Sequence, residues 1–279
     1  MKEELNAFIE FALKEDVREG DHTSLACIPP TTSGKAQLLV KENGILAGME
    51  VAQAIFKKVN PNIKFLPLMQ DGESMTFGDI AFIVEGPSSS ILTAERLVLN
   101  CMQRMSGVAT KTKQIVKLLD GTKAQVLDTR KTTPGIRLLE KWAVKIGGGV
   151  NHRFGLYDMM MIKDNHIDFA GGIQSAIEKA INYQKDKGIN IPIEVEARNL
   201  KEVNEILKVG NIQRIMLDNF SYEDTLIAVE LIGERFETEA SGGITEENIR
   251  EHALCGVDFI SVGALTHSVN SLDLSLKAF

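Results

Sequence analysis

The first hundred residues alternate between helical and strand-like hydrophobic patterns. Apolar side chains recur at helical spacing over residues 2–15, 51–59 and 91–106, and each stretch predicts a helix with one buried face. Shorter apolar runs predict strands at residues 36–41, 63–66 and 80–84. Five of the seven prolines precede residue 90 and separate these elements. The pattern predicts a small α+β domain over residues 1–107.

After residue 107 the pattern becomes a regular repetition of strand and helix. Apolar strand cores lie at residues 124–127, 159–162, 193–195, 214–217, 236–240 and 258–262. Helical patterns lie between them, at residues 136–146, 173–183, 203–207, 221–232 and 246–253. Repeated strand–helix units predict a parallel sheet, and strands that are apolar throughout predict that both faces of that sheet are covered.

Polar residues follow these strand cores and indicate how the sheet is arranged. In chain order they are Asp128 with Arg130 and Lys131, then Lys163, Glu196, Asp218, Ser241 with Gly242 and Gly243, and Gly263. Functional groups at the carboxyl ends of many strands are typical of a β/α barrel, whereas a doubly wound sheet concentrates its site at one switch point. Six strands in about 160 residues fall short of the roughly 250 residues of a full barrel. The fold class predicted is therefore α/β, with an incomplete β/α barrel over residues 108–269 and a smaller N-terminal domain.

The composition and charge of the chain limit the kinds of ligand and the cellular compartment that are expected. The formal net charge is −7 and the isoelectric point is about 5.4, which argues against a nucleic-acid binder. Three widely spaced cysteines, without a CxxC motif, predict neither disulfides nor a metal site. The N-terminus begins an amphipathic helix, and apolar runs stay short of membrane-spanning length. We expect a cytoplasmic protein.

Against this acidic background, residues 128–166 form a local basic cluster of nine potentially cationic side chains. Lys141 and Lys145 lie on an amphipathic helical pattern and are interpreted as helix-surface residues. The others follow buried strands or the glycine run 147–149, so they predict a pocket for a small polyanion. Arg96, within an apolar helix, is either a residue at the rim of the core or an anion ligand.

Two late glycine loops, at residues 241–245 and 262–268, predict a phosphate cradle, because glycine lets backbone N–H groups approach an anion closely. The alternative is a pair of ordinary strand-to-helix turns. Glu196 and Asp218 end neighbouring strand cores, where they either form salt bridges with the lysines or bind sugar hydroxyls and stabilise positive charge. His22, His166 and His252 are interpreted as structural or peripheral.

Taken together, these motifs resemble those of the quinolinate phosphoribosyltransferases. The motifs are ERLVLN (95–100), DTRKT (128–132), GGGVNHR (147–153), IKDNH (162–166), EVE (194–196), LDNF (217–220), SGG (241–243) and VGALTHS (262–268). They occur together, in the family's order, over nearly the whole chain. Thr133, Ile136 and Trp142 depart from common family residues, but none is an expected ligand.

The resemblance implies the reaction of quinolinate with phosphoribosyl pyrophosphate and Mg²⁺, giving nicotinate mononucleotide, pyrophosphate and CO₂ in NAD synthesis. The implied catalytic residues are Lys131, Lys163, Glu196 and Asp218, with Mg²⁺ near Glu196 and Asp218 and no direct metal ligand assigned. The implied substrate-binding residues are Arg96, Thr129, Arg130, Lys131, His152, Arg153, Lys163, Glu196, Asp218, Ser241, Gly242, Gly243, Val262, Gly263 and Ala264. The 5′-phosphate is expected on the glycine loops.

The resemblance also implies an open-sandwich N-terminal domain, to which the tail 270–279 returns, and a homodimer with shared active sites that can assemble further. Arg96 would then reach into the partner subunit's site. Two rival functions are a Schiff-base aldolase that uses Lys163 and a non-catalytic anion-binding module. An aldolase has little need for the arginines around Lys163, and the module has no need for Glu196, Asp218 and both lysines together.

Overall fold

A computed structural model describes residues 2–279, which divide into two compact units. Among the described residues, the first unit comprises 2–113, 132–148 and 265–279, and the second comprises 114–131 and 149–264. Among the described residues, no helix is both long enough and apolar enough to cross a membrane.

The first unit is built on a four-stranded antiparallel sheet. Its spatial order is β12 (Leu274–Ala278), β1 (Ser33–Val40), β5 (Ile80–Pro87) and β3 (Lys64–Pro67). A short hairpin pairs β2 (Gly44–Ile45) with β4 (Ser74–Met75). Helices α1 (Lys2–Asp16), α2 (His22–Cys27) and α3 (Met49–Val59) accompany these strands. Phe56, Phe65 and Phe82 pack ring against ring, with centroids 4.6–6.2 Å apart.

The C-terminal tail and a long helix complete this unit. Strand β12 pairs with β1 from Ala36–Ala278 to Val40–Leu274, so the end of the chain lies in the same sheet as its beginning. Helix α4 (Ser88–Leu118) is 31 residues long and continues well beyond the predicted end at residue 106. Gly107 lies inside it, where a Cβ atom would come within 2.2 Å of the Asn270 carbonyl oxygen. Close backbone approach, and not a helix end, therefore explains this glycine.

The second unit contains six parallel strands in the spatial order β6, β11, β10, β9, β8, β7. Their bounds are β6 (Gln125–Leu127), β7 (Met160–Ile162), β8 (Ile193–Ala197), β9 (Arg214–Asp218), β10 (Glu237–Ser241) and β11 (Phe259–Ser261). Strands β7 to β11 follow one another in sequence and in space, and the first strand, β6, pairs with the last. This connection is that of a barrel that stays open between β6 and β7, which confirms the predicted fold class.

The helices agree with the predicted pattern with a few exceptions. Their bounds are α5 (Arg137–Ile146), α6 (Asp164–Ala170), α7 (Ile173–Lys187), α8 (Leu200–Val209), α9 (Tyr222–Ile232), α10 (Ile249–Leu254) and α11 (Ala264–His267). Helices α2, α6 and α11 were not predicted, because each is too short to show a helical period. Lys141 on α5 is buried, so its interpretation as a helix-surface lysine was wrong, whereas Lys145 is exposed.

Candidate active site

The carboxyl edge of the six-stranded sheet carries every predicted site residue except Arg96. Thr129, Arg130 and Lys131 follow β6, Lys163 follows β7, Glu196 lies in β8, Asp218 and Ser241 end β9 and β10, and Val262, Gly263 and Ala264 follow β11. His152 and Arg153 follow Val150, which bridges to Leu127 of β6. Parallel strands end at one edge, so the sheet brings these groups to the same side. Arg96 is exposed on α4 in the other unit.

Lys163 and Glu196 form an ion pair at this edge. Lys163 Nζ donates to Glu196 Oε2 at 2.9 Å, with 44% of the lysine side chain and 7% of the glutamate side chain exposed. The backbone N–H of Lys163 donates to His166 Nδ1, which fixes the start of α6. The amine is therefore held in place while part of it still faces solvent, where it can meet a substrate.

Asp218 lies on the neighbouring strand and is oriented by Asn219. Asn219 Nδ2 donates to Asp218 Oδ2 at 2.7 Å, while the Asn219 backbone N–H donates to the Ser241 carbonyl at 2.8 Å. Asn219 has the left-handed φ of 56°, a conformation that asparagine tolerates better than most residues. Partial burial and the nearby charge of Glu196 raise the pKa of Asp218. Because the two carboxylates repel each other, a cation or a developing positive charge between them is stabilised.

The glycine loop after β10 is packed against Asn219. Gly242 and Gly243 have φ angles of 92° and 61°. A Cβ atom on Gly242 would come within 2.2 Å of Asn219 Oδ1, whereas one on Gly243 meets nothing within 4 Å. Asn248 braces the loop by donating from Nδ2 to the Gly243 carbonyl at 3.0 Å. Helix α10 starts only at Ile249, so the loop's own N–H groups, and not a helix start directly after Gly243, are available to an anion.

Arg130, Lys131 and Arg153 make this edge cationic. Arg130 and Lys131 are exposed and Arg153 is half-buried. Burial, followed by the charge of Arg130, lowers the pKa of Arg153, which indicates that the two guanidinium groups lie close enough to repel each other. Arg153 Nη1 donates to the Met159 carbonyl at 3.3 Å. Cations gathered in this way are stabilised when an anion binds between them.

His152 is placed differently from the other cationic residues. Its ring is buried, with 5% of the side chain exposed. Nδ1 accepts the Arg153 backbone N–H at 2.7 Å, and Nε2 lies 2.9 Å from Glu194 Oε2 and 3.4 Å from Glu239 Oε2. Both ring nitrogens are therefore next to protein groups.

Sequence reasoning missed Glu194, Glu239 and Arg214. Arg214 donates from Nη1 to Glu239 at 3.0 Å and from Nη2 to Glu237 at 2.9 Å. A signal was present, since ionisable side chains that interrupt buried strands require a partner. The partner's identity depends on strand order and register, which the sequence pattern does not supply.

Comparisons with known proteins agree with one another along the chain. Residues 21–106 match a family model described as quinolinate phosphoribosyl transferase, N-terminal domain, and residues 108–277 match the C-terminal domain of the same family. A chloroplastic nicotinate-nucleotide pyrophosphorylase (carboxylating) of Arabidopsis thaliana is 47% identical over 98% of this chain and 82% of its own length. A probable enzyme of the same name from Bacillus subtilis is 41% identical over 98% and 93%.

Solved structures give the same result. NadC from Streptococcus pyogenes has a TM-score of 0.93 and 38% identity, covering 99% of this chain and 96% of that one. The nicotinate-nucleotide pyrophosphorylase from Francisella tularensis has a TM-score of 0.92 and 39% identity, with coverage of 100% and 97%. Both domains are therefore similar to the same group of proteins, in the same order.

Proposed function

The chain belongs to the quinolinate phosphoribosyltransferase family, and we propose that it transfers the phosphoribosyl group of phosphoribosyl pyrophosphate to quinolinate. Loss of one carboxyl group then gives nicotinate mononucleotide, pyrophosphate and CO₂ in de novo NAD synthesis. The observation that carries this proposal is the family match over both domains. The edge geometry supports it, because cations, paired carboxylates and glycine loops each suit one part of the two substrates.

Quinolinate carries two carboxylates, and the cationic residues around β6 and β7 are proposed to bind them. Arg130, Lys131, Arg153 and Lys163 supply the charge, and Thr129 shapes the turn by accepting the Lys131 backbone N–H at 3.0 Å. Each charge-assisted hydrogen bond contributes roughly 1.5–3 kcal/mol. Binding also relieves the repulsion between Arg130 and Arg153, so the free energy of the empty site favours an anionic acceptor.

Departure of pyrophosphate leaves positive charge on the ribose carbon, and Glu196 and Asp218 are the proposed stabilisers of that charge. They also bind the ribose hydroxyls. Mg²⁺ enters with phosphoribosyl pyrophosphate and, when bound, supplies neutralisation of the pyrophosphate leaving group. The repulsion that raises the pKa of Asp218 supports a cation near this pair, and carboxylate oxygens are suitable partners for Mg²⁺ or its water shell.

The two glycine loops are proposed to hold the 5′-phosphate. Ser241, Gly242 and Gly243 offer a hydroxyl and backbone N–H groups after β10, and Val262, Gly263 and Ala264 do so after β11. Barrels often bind phosphate at their last two loops. Asp218 on β9 lies directly beside the β10 loop in the sheet order, and Glu196 on β8 comes next, as binding of a sugar phosphate requires.

Decarboxylation follows once the ring nitrogen carries the ribose. The bond between ring carbon 2 and its carboxyl carbon breaks, CO₂ leaves, and the bonding electron pair stays on carbon 2 beside the cationic nitrogen. That carbon then takes a proton. Lys163 is the proposed proton donor, since its ammonium is anchored on Glu196 at 2.9 Å and half-exposed, and Lys131 is the second candidate at the same edge.

Arg96 is proposed to act in the partner subunit's site of a homodimer. It is an exposed arginine on α4, directly before the buried residues Leu97, Val98 and Leu99. Arg96→Ala and Lys163→Ala should each abolish activity as homodimers. Mixing the two variants should restore part of the activity through hybrid dimers, and absence of rescue after confirmed subunit exchange would contradict the shared site.

The direct test of function is an assay with quinolinate, phosphoribosyl pyrophosphate and Mg²⁺ that follows nicotinate mononucleotide and CO₂, with nicotinate as the control acceptor. We expect product from quinolinate and none from nicotinate. Turnover with nicotinate, or binding of phosphoribosyl pyrophosphate without turnover of either acceptor, would refute the assignment. Glu196→Gln should bind quinolinate and lose turnover, which separates catalytic failure from lost acceptor binding.

A further inference from the structure

A buried ionisable cluster lies below the edge that carries the proposed chemistry. Side chains two residues apart on a strand share a face, so Glu194 lies one layer beneath Glu196, and Glu239 lies one layer beneath Ser241. Between them, on β9, Arg214 is paired in register with Glu194. Glu194 and Glu239 are both fully buried and converge on Nε2 of His152.

The contacts of His152 determine which ring nitrogen carries hydrogen. Nδ1 accepts the backbone N–H of Arg153 at 2.7 Å, so its lone pair is already used. The hydrogen of a neutral ring must then be on Nε2, whose nearest acidic neighbours are Glu194 at 2.9 Å and Glu239 at 3.4 Å. Although His152, Glu194 and Glu239 are close enough together to suggest a metal site, a protonated Nε2 cannot be a ligand. The cluster therefore holds protons and not a metal ion.

Charge balance within the cluster places one further proton. Arg214 compensates Glu239 at 3.0 Å, which leaves Glu194 without a full positive partner. Burial, followed by the charge of Glu239, raises the pKa of Glu194 to about 7. Burial lowers the pKa of His152 and the two carboxylates raise it, so the contacts of the ring decide where the proton lies. A second ring proton would have to sit on Nδ1, where the Arg153 N–H already points, so Glu194 is the better site for it.

We propose that Glu194 and Glu239 are positioning residues that hold His152 as its Nε2–H tautomer. In this tautomer Nδ1 accepts the Arg153 backbone N–H, which directs the Arg153 guanidinium toward a carboxylate of the acceptor. This inference rests on the proposed function, in which Arg153 binds quinolinate. It gives His152 a supporting role behind Arg153, with both ring nitrogens turned toward protein groups. It also explains why two carboxylates stay buried beneath a cationic site.

The test compares three variants by steady-state kinetics. Glu194→Leu removes the carboxylate nearest to Nε2 of His152, and we expect the KM for quinolinate to rise about tenfold or more, as for residues that orient metal ligands. The KM for phosphoribosyl pyrophosphate and kcat should stay unchanged, because Arg153 is proposed to bind the acceptor alone. Glu194→Gln keeps an acceptor oxygen and should restore the wild-type KM. Glu237→Gln, the matched control, alters Arg214 from its half-exposed side without contacting His152 and should leave both KM values unchanged.

Two further measurements decide between positioning and general structural damage. In an Arg153→Ala background, Glu194→Leu should raise the quinolinate KM no further, because its effect passes through Arg153; an additive rise would overturn the proposal. Long-range ¹H–¹⁵N spectra near neutral pH should show His152 with hydrogen on Nε2 alone. With only five histidines in the chain, His152→Asn assigns the signal. This spectrum does not depend on activity, so an imidazolium or an Nδ1–H tautomer would refute the proposal even if Glu194→Leu does not fold. Failure of quinolinate turnover would refute only the proposed function.

Discussion

Gly242→Ala tests whether the loop after β10 orients the proposed catalytic carboxylate. Gly242 has a φ of 92°, and an added Cβ atom would lie 2.2 Å from Asn219 Oδ1 and 2.5 Å from Asn219 Cγ. Asn219 in turn donates to Asp218 at 2.7 Å. The substitution therefore displaces the residue that holds Asp218, although it changes no charged group.

The size of the effect follows from two separate costs. The left-handed backbone alone costs a non-glycine residue about 1–2 kcal/mol. Restoring ordinary van der Waals contact, at 3.4 Å or more, requires Asn219 to move by about 1.2 Å from its 2.2 Å approach. Losing a hydrogen bond to a charged group costs roughly 1.5–3 kcal/mol, which corresponds to about 10- to 100-fold in kcat/KM. We expect a loss of that size for phosphoribosyl pyrophosphate.

Gly188→Ala is the matched control, because Gly188 also has a positive φ, 63°, but has open space where the Cβ atom would lie and ends α7, outside the proposed phosphate cradle. Both variants should lose about 1–2 kcal/mol of unfolding free energy through the backbone, measured by urea denaturation. Only Gly242→Ala should lose the additional activity. Equal kcat/KM losses in the two variants would show that the contact with Asn219 does not position Asp218.

Three further predictions concern the charged residues of the barrel. Asp218 acts as a carboxylate and its pKa is raised by burial and by Glu196, so kcat/KM should fall with decreasing pH at a pH above the normal titration range of an aspartate. In Glu196→Gln, the fall in the remaining kcat/KM should occur at lower pH. A fall at the same pH as in the wild type would contradict the assignment. Lys163→Met should reduce the rate of decarboxylation, measured as CO₂ release, by about 10²-fold or more, as expected for loss of a proton donor. A smaller loss would indicate that Lys131 is the proton donor. Arg214→Met leaves the buried Glu239 without its arginine partner, so the free energy of unfolding, measured by urea denaturation, should fall by about 3–5 kcal/mol. Glu237→Gln should lower it little.

The strands of the barrel could be predicted from sequence because each is a short apolar run followed by a polar residue. Predicted cores at residues 193–195 and 214–217 fall within β8 (Ile193–Ala197) and β9 (Arg214–Asp218). A parallel strand that is covered on both faces has few polar positions except where it leaves the core. The polar residue at its end therefore marks both the strand boundary and the edge where the site forms.

The buried cluster could not be predicted in the same way. Glu194 and Glu239 lie on strands that are not neighbours, separated by β9, and Arg214 meets them only because of the register between these strands. Local periodicity contains no information on that register. Helix α4 was predicted too short for a related reason, since Gly107 is explained by the distant Asn270 backbone and not by its neighbours in sequence.

The order of strands also separates the chemistry into parts that can change independently. Along the edge, the groups are in this order: Lys131 after β6, the glycine loops after β11 and β10, Asp218 on β9, Glu196 on β8, and Lys163 after β7. Cationic residues therefore lie at the two end strands, which border the opening of the barrel, while the parts proposed for the sugar and its phosphate lie on the four strands between them. Under the proposed function, a change of acceptor requires changes only in the segments after β6, Val150 and β7. Changes in the four central strands would instead alter the use of phosphoribosyl pyrophosphate, whatever the acceptor.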